Sequence, residues 1–337
     1  MRVAVLKGGR SLERTVSLRS GERVESALKQ LGHEVVPIDV GPELLSELLQ
    51  CAPNAAFLAL HGRDGEDGTV QGLLETIGVP YTGSGPAACM RCTDKALAKY
   101  LMREAGIPTP AFHAFKESAI KELGVAAALP RIERDLGFPI VVKPASQGSA
   151  LGVQFAHSGE ELPPAIVGAL SYDRKVVLER YVKGRDLAVS VLDADTPPDG
   201  PRGAPLASGD PAGESRSPRP APVALPVVEA IPREREFYDY ESRYEIGMTT
   251  FVCPADLPPE TTARAQELAL AAYRLLGCHG VARIDLMLEA QSGELTVLEA
   301  NVVPGLTETS LLPIASDAAG IDLHALVGRI LQSAFTR

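Results

Sequence analysis

The first third of the chain alternates short apolar runs with amphipathic ones, and that alternation restricts the fold more than any other feature. Arg2-Val-Ala-Val-Leu6 reads as a buried strand, and Val16 to Leu31 carries Val16, Val24, Ala27, Leu28 and Leu31 at helical spacing. Glu34 to Ile38 is a second strand, Pro42 to Leu49 a second helix and Ala55 to Leu60 a third strand, and a further helix starts at Gln71. Repetition of this kind builds an open parallel sheet, which binds ligands in the loops at the C-terminal ends of its strands. Thr93-Asp-Lys-Ala opens an amphipathic helix to about Ala105, where Gly106-Ile-Pro-Thr-Pro110 breaks it and marks the end of a unit over 1–106.

The period then changes. Phe138, Ile140, Val141 and Val142 lead into Lys143-Pro and a Gly-containing turn, followed by strands over 153–156, 176–182 and 186–192, with a helix from Glu160 to Leu170. These predict a small α+β unit over 107–192. Residues 193–222 hold eight prolines and four glycines with no aromatic, Val or Ile. So little apolar area cannot offset the entropy of ordering, and the stretch is expected to be a disordered insert. A last α+β unit, 223–337, contains a helix from Pro259 to about Leu276, strands over 281–288 and 295–303 with a turn at Gln291–Gly293, and a closing helix over 323–333.

Composition narrows the function classes. The 337 residues carry 33 Lys and Arg against 43 Asp and Glu, a net charge of −10, which disfavours nucleic-acid or anionic-membrane partners because both want a basic face. No apolar run reaches the length of a bilayer span, and Met1-Arg2-Val3 enters a strand rather than a signal sequence, so a cytoplasmic protein without a membrane partner is expected. Five cysteines, only Cys89 and Cys92 close together, make neither a disulfide framework nor a zinc spacing; they read as buried or helix-start thiols.

Four stretches carry chemistry. Leu60-His-Gly-Arg-Asp-Gly-Glu-Asp-Gly-Thr69 and Lys7-Gly-Gly-Arg-Ser-Leu-Glu13 each follow a parallel strand, the first offering His61, Glu66 and Asp67, the second Glu13; a solvated loop is the alternative for the former. Lys143-Pro-Ala-Ser-Gln-Gly-Ser-Ala-Leu-Gly152 sets a cation before a Gly/Ser turn, which makes either a phosphate cradle or an ordinary hairpin tip. It is not a Walker loop, since no Gly-Lys-Ser/Thr is present and strands follow. In Ala282-Arg-Ile-Asp285 and Glu299-Ala-Asn301, strand alternation puts Arg283 with Asp285 and Glu299 with Asn301 on one face each. Pairing of those strands collects one cation and three hard oxygen donors suited to Mg²⁺, or forms a cross-strand ion pair on a solvated face.

Taken in order, these motifs resemble the ATP-grasp superfamily and, within it, the D-alanine:D-alanine ligase family. The specific parts are Gly-Gly-Arg-Ser-Leu-Glu-Arg-Thr-Val-Ser-Leu from Gly8, His-Gly-Arg-Asp-Gly-Glu-Asp-Gly-Thr-Val-Gln-Gly over 61–72, Phe-Tyr-Asp-Tyr-Glu-Ser-Arg-Tyr over 237–244, and Asn301-Val-Val-Pro-Gly-Leu-Thr-Glu-Thr-Ser310-Leu. The resemblance implies an ATP-grasp fold: an N-terminal open parallel-sheet domain (1–106), a central subdomain (107–192) and a C-terminal subdomain with catalytic and metal residues (223–337). It implies ATP-dependent joining of two D-alanines through an acyl phosphate, in a homodimer that supplies peptidoglycan precursors.

By motif position the resemblance assigns Glu13, with His61 nearby, to the first D-alanine, and Ser149 and Tyr244 to the reacting centre. Arg283 is assigned to the carboxylate and later oxyanion, and Asp285, Glu299 and Asn301 to Mg²⁺, or Mn²⁺ in its place. Lys95 and Lys143 are assigned to the ATP phosphates, Glu179 and Asp186 to adenine and ribose, and Gly305, Ser310 and Leu311 to the second D-alanine. Tyr244 favours an amino acid over D-lactate as second substrate. Arg243 stands in place of the family's lysine, Asp186 is a methylene shorter than its glutamate, and Ala150, Val302 and Glu-Ile-Gly-Met-Thr after Tyr244 are further departures. They leave open a relative that joins a different D-amino or D-hydroxy acid, and a non-catalytic ATP-binding paralogue whose proline-rich insert recruits a partner.

Overall fold

The computed structural model describes residues 1–193, 221–232 and 248–337. The 193–222 insert, apart from its ends, and the 237–248 segment with Arg243 and Tyr244, apart from Met248, lie outside the described residues. The first sheet is parallel, with β1 (Arg2–Lys7) between β2 (Glu34–Asp39) and β3 (Ala55–Leu58). Val3 to Leu6 are fully buried because each face of β1 is covered. Ala4 and Leu6 pack with Leu44, Leu48, Val70 and Leu74 of the following helices, whereas Val3 and Val5 pack with Val24 and Leu28 and with Val327 and Leu331 of the closing helix Leu323–Ser333. The last helix of the chain thus completes the core of the first sheet.

The second sheet is antiparallel, of β4 (Phe112–Lys116), β5 (Ile140–Pro144), β6 (Gln154–Ala156) and β7 (Lys175–Arg180) in the order β4-β7-β5-β6. Alternation turns Ile140 and Val142 onto the helices Leu129–Leu136 and Leu162–Leu170, and Val141 and Lys143 toward a cleft. The third sheet has β8 (Gly184–Asp193), β9 (Pro222–Ala224), β10 (Val228–Pro232), β11 (Thr249–Val252), β12 (Val281–Glu289) and β13 (Leu295–Asn301), in the order β11-β10-β8-β12-β13 with β9 on β8. One face packs on the helices Lys95–Glu104 and Pro259–Leu276, and the other looks into the cleft.

Two expectations change. The last strand of the 107–192 unit hydrogen-bonds not with its sequence neighbours but with β12 and β10, at the centre of the third sheet. A strand pattern names no partner, and β8 is long and apolar enough to be central. The helix expected from Thr93 forms over Lys95–Glu104, where Asp94 caps it by accepting from the Leu97 N–H at 3.1 Å, and an unforeseen helix, Pro86–Thr93, precedes it and buries Cys89 and Cys92. Ile284, fully buried between the two residues that face the site, ties that face to the core. Ile284→Ala is expected to cost about 2–5 kcal/mol of unfolding free energy; a loss below about 1 kcal/mol by denaturant titration would contradict this placement of the core.

Candidate active site

β12 and β13 carry a wall of polar side chains. Arg283 pairs across the sheet with Asn301, and Asp285 with Glu299. Arg283 grips Asp285 with two hydrogen bonds, from Nε to Oδ1 at 2.7 Å and from Nη2 to Oδ2 at 2.8 Å, and Asn301 Nδ2 donates to Asp285 Oδ2 at 3.1 Å. Glu299 Oε2 lies 3.1 Å from Lys95 Nζ. The ion pair runs along one strand rather than across two, and the Arg283 and Asp285 side chains are only 12% and 13% exposed, so this is no solvated surface pair. The register shifts after Asp285: Leu286 faces Val297, leaving Leu298 as an extra residue in β13. Such a bulge reverses the alternation, so Leu295 and Val297 stay in the core while Glu299 and Asn301 join the wall.

The wall separates two openings. Asp285 and Glu299 line a cleft with about 1160 Å³ of empty space, open to solvent, between the second and third sheets. Arg283 and Asn301 line a smaller polar pocket of about 550 Å³, and Leu311 borders both. In the cleft, Lys143 of β5 and Lys95 of the Lys95–Glu104 helix approach from one side, Lys95 Nζ also donating to the Gln147 carbonyl at 2.7 Å. Beneath them Glu179 is buried with one oxygen 2.6 Å from Lys143 Nζ and the other 2.5 Å from Lys99 Nζ. Burial alone would raise the Glu179 pKa, but Lys143 and Lys99 outweigh it and hold the carboxyl below the usual range. Asp186, on β8 in register with Met287, lines the same cleft, whose apolar surfaces include Val141, Phe155, Met287 and Leu298.

The small pocket gathers residues from three distant stretches. Glu13, just before the helix Arg14–Gln30, is 5% exposed and accepts from the Ser149 hydroxyl. Ser149 and Ala150 take φ of 52° and 57°, a left-handed turn that costs L-residues roughly 1–2 kcal/mol each and here turns the serine onto Glu13. A Cβ at Gly148 would lie 2.9 Å from Glu13 Oε2, so glycine is what lets the turn approach. His61 follows β3, with Nδ1 3.5 Å from Glu66 Oε1 and Nε2 3.2 Å from Ser20 Oγ. Opposite them, the Thr307 N–H donates to Ser310 Oγ at 3.0 Å, and a Cβ at Gly305 would sit 2.6 Å from that oxygen.

The described residues that the resemblance assigns to substrates, ATP and metal all lie on the wall, the cleft or the small pocket, whereas Asp67 lines neither opening and accepts from the Asp64 and Thr69 N–H groups of its own loop; Tyr244 lies outside the described residues. Sequence reasoning missed Lys99, Ser20 and the full weight of Glu66. Lys99 sits one helical turn after Lys95, so the helix period could have raised it; nothing local could have found Ser20.

Two carboxylates with few partners make the pocket ready for a cation. Burial first, and then repulsion from Glu66, push the Glu13 carboxyl above its ordinary range, against the pull of Ser149, His61 and Lys95. A carboxyl whose pKa is higher folded than unfolded binds its proton more tightly in the fold. Its stabilising contribution is present below the unfolded value near 4.5 and is lost as pH rises through the folded one. Glu13→Gln is accordingly expected to be more stable than the unsubstituted protein at pH 7–8 without ligand, with the advantage shrinking toward pH 4 in thermal unfolding scans. A pH-independent difference would remove the argument.

Known proteins share this sequence pattern and this fold. The family model described as D-ala D-ala ligase C-terminus matches residues 101–201 and 220–332, and that described as D-ala D-ala ligase N-terminus matches 45–84. A D-alanine–D-alanine ligase of Moorella thermoacetica is 41% identical over 336 residues, covering 99% of each chain. The crystal structure of D-alanine–D-alanine ligase from Bacillus anthracis aligns with a TM-score of 0.79 at 33% identity, covering 99% of this chain and 97% of that one. The same enzyme complexed with ATP aligns at 0.75 and 31%, covering 99% and 96%. With likeness running the full length of the sequence and of the fold, the chain belongs to the D-alanine–D-alanine ligase family.

Proposed function

We propose that this protein joins two D-alanines into D-alanyl-D-alanine at the expense of ATP, for peptidoglycan precursor synthesis. The observation that carries the reading is the shared wall: a cleft of nucleotide size with two lysines on one side, and a small pocket with a buried carboxylate, a half-buried one and an arginine on the other. A carboxylate is a poor acyl donor, so it must first gain a better leaving group. The carboxylate oxygen of the first D-alanine attacks the terminal phosphorus of ATP, the bond to ADP breaks, and an acyl phosphate forms. The amine of the second D-alanine then attacks the acyl carbon, loses a proton, and phosphate leaves as the peptide bond is completed. Positioning and charge stabilisation are what the protein must supply.

Glu13, beside Glu66 and His61, would hold the first ammonium, whose charge offsets the burial of these groups. Arg283 would steady the first carboxylate and the oxyanion that grows from it. Ser149 and Tyr244 would arrange the reacting centre, and Gly305, Ser310 and Leu311 would receive the second D-alanine. Lys95 and Lys143 would meet the phosphates. Val141, Met287 and Leu298 offer apolar surface for the adenine, with Glu179 and Asp186 toward the base and ribose. Asp285, Glu299 and Asn301 would hold Mg²⁺, or Mn²⁺ in its place: two carboxylates and an amide are hard oxygen donors, Arg283 and Lys95 meet their charge here, and the ion would neutralise phosphate charge. Among the described residues no cluster of three His, Cys, Asp or Glu offers another metal site.

The three units 1–106, 107–192 and 223–337 are proposed as the working domains, with β8 counted among the third sheet. A homodimer is proposed, with Leu45 and Leu49 as exposed apolar surface for a second copy. Dependence on ATP argues for the cytoplasm; among the described residues no single helix is long and apolar enough to cross a membrane.

Phosphate release from ATP and Mg²⁺ with D-alanine as the only amino acid is expected, to stop on chelation and to fall roughly a hundredfold or more in Glu299→Ala. D-lactate, D-serine and L-alanine as second substrates are expected to be poorer. Activity with one of these but none with D-alanine would move the protein to a different ligation.

A further inference from the structure

One hydroxyl outside the small pocket joins the two sides of that pocket, His61 and the 305–310 loop. Ser20 lies on the helix Arg14–Gln30, two turns beyond Glu13, and is 1% exposed. Its Oγ accepts from the Leu306 N–H at 3.2 Å and lies 3.2 Å from His61 Nε2. One turn further on, Arg23 Nη1 donates to the Leu306 carbonyl at 2.6 Å, and Arg19 and Arg23 both approach Glu308 at 3.4 Å. The Leu306 peptide is thus held from both ends by a single helix face. Leu306 sits between Gly305 and Ser310, the residues read above as receiving the second D-alanine.

Proton accounting gives the chain a direction. A carboxylate can only accept, so His61 Nδ1, facing Glu66, carries a proton. In the neutral ring Nε2 is then an acceptor. In that tautomer Ser20, which accepts from the Leu306 N–H, donates its own proton to Nε2. The polar chain runs Leu306 N–H to Ser20, Ser20 to His61, and His61 to Glu66, from the acceptor loop to the carboxylate that repels Glu13.

We propose that Ser20 is a positioning residue of the acceptor subsite, holding the 305–310 loop in register with His61 so that the second amino acid is received in line with the first. It touches neither substrate. The inference rests on the reading of Gly305, Ser310 and Leu311 as the acceptor subsite. Without the hydroxyl the Leu306 N–H is left buried and unpaired, a loss that the loop can relieve only by moving.

The test separates the two half-reactions. Donor activation alone is read by giving hydroxylamine in place of an acceptor: its nitrogen attacks the acyl phosphate, the bond to phosphate breaks, a proton is lost, and D-alanine hydroxamate and phosphate are released. Ser20→Ala is expected to raise the half-saturating D-alanine concentration of the acceptor subsite about tenfold, equivalent to ~1.4 kcal/mol. Hydroxamate formation should change by less than about threefold. Arg23→Met, which frees the same peptide from its carbonyl side and is partly exposed, should shift the acceptor constant the same way, and Arg23→Lys should restore most of it. Donor and acceptor constants worsening together in both variants, or an acceptor constant within about twofold of the unsubstituted protein, would overturn the proposal. Hydroxamate without dipeptide from the unsubstituted protein would instead overturn the acceptor reading, and this proposal with it.

Discussion

The register of β12 against β13 is the constraint on which the rest of the site depends. It places Arg283 opposite Asn301 and Asp285 opposite Glu299, and the extra residue Leu298 keeps both pairs out of the core. Charges so enclosed are costly unless matched, because losing one partner of a buried pair leaves the other uncompensated. Each acid of the wall accordingly meets a cation of the chain: Asp285 meets Arg283, and Glu299 meets Lys95. A wall held by its own ion pairs is pre-organised.

No single sheet owns the site. The wall comes from the third, Lys143 and Glu179 from the second, and Glu13 and His61 from loops around the first. What locks these pieces is apolar packing far from the chemistry. The closing helix fills the core of the first sheet, and the Lys95–Glu104 helix packs Ala98 and Met102 against the third sheet while carrying Lys95 to the cleft and Lys99 to Glu179. The Arg14–Gln30 helix belongs to both levels, with Val24 and Leu28 in the core and Ser20 and Arg23 on the 305–310 loop. Rigidity of the core thereby becomes precision at the site.

Much of this was legible in the chain. The parallel β1-β2-β3 unit, the helices Pro259–Leu276 and Leu323–Ser333, and the pairing of the Arg283 and Glu299 strands follow from local periodicity, which burial on one face imposes on any soluble element. The family motifs carried the resemblance that full-length comparison bears out. Local pattern failed where the partner was remote. It put β8 with its sequence neighbours, gave no helix over Pro86–Thr93, and read Glu299 and Asn301 on one face without needing the bulge that strict alternation from Leu295 demands.

The sequence by itself determined which residue types stand at the ends of which elements, because amphipathic period, turn chemistry and acid or amide identity are local properties of the chain. Only the tertiary structure decided that Glu13 meets Ser149 across 136 positions, that Glu179 rests between Lys99 and Lys143, and that Ser20 reaches Leu306. Those contacts arise from the packing of three sheets against shared helices. Burial makes each polar group require a partner, and the partner is whichever group the closed core brings within reach.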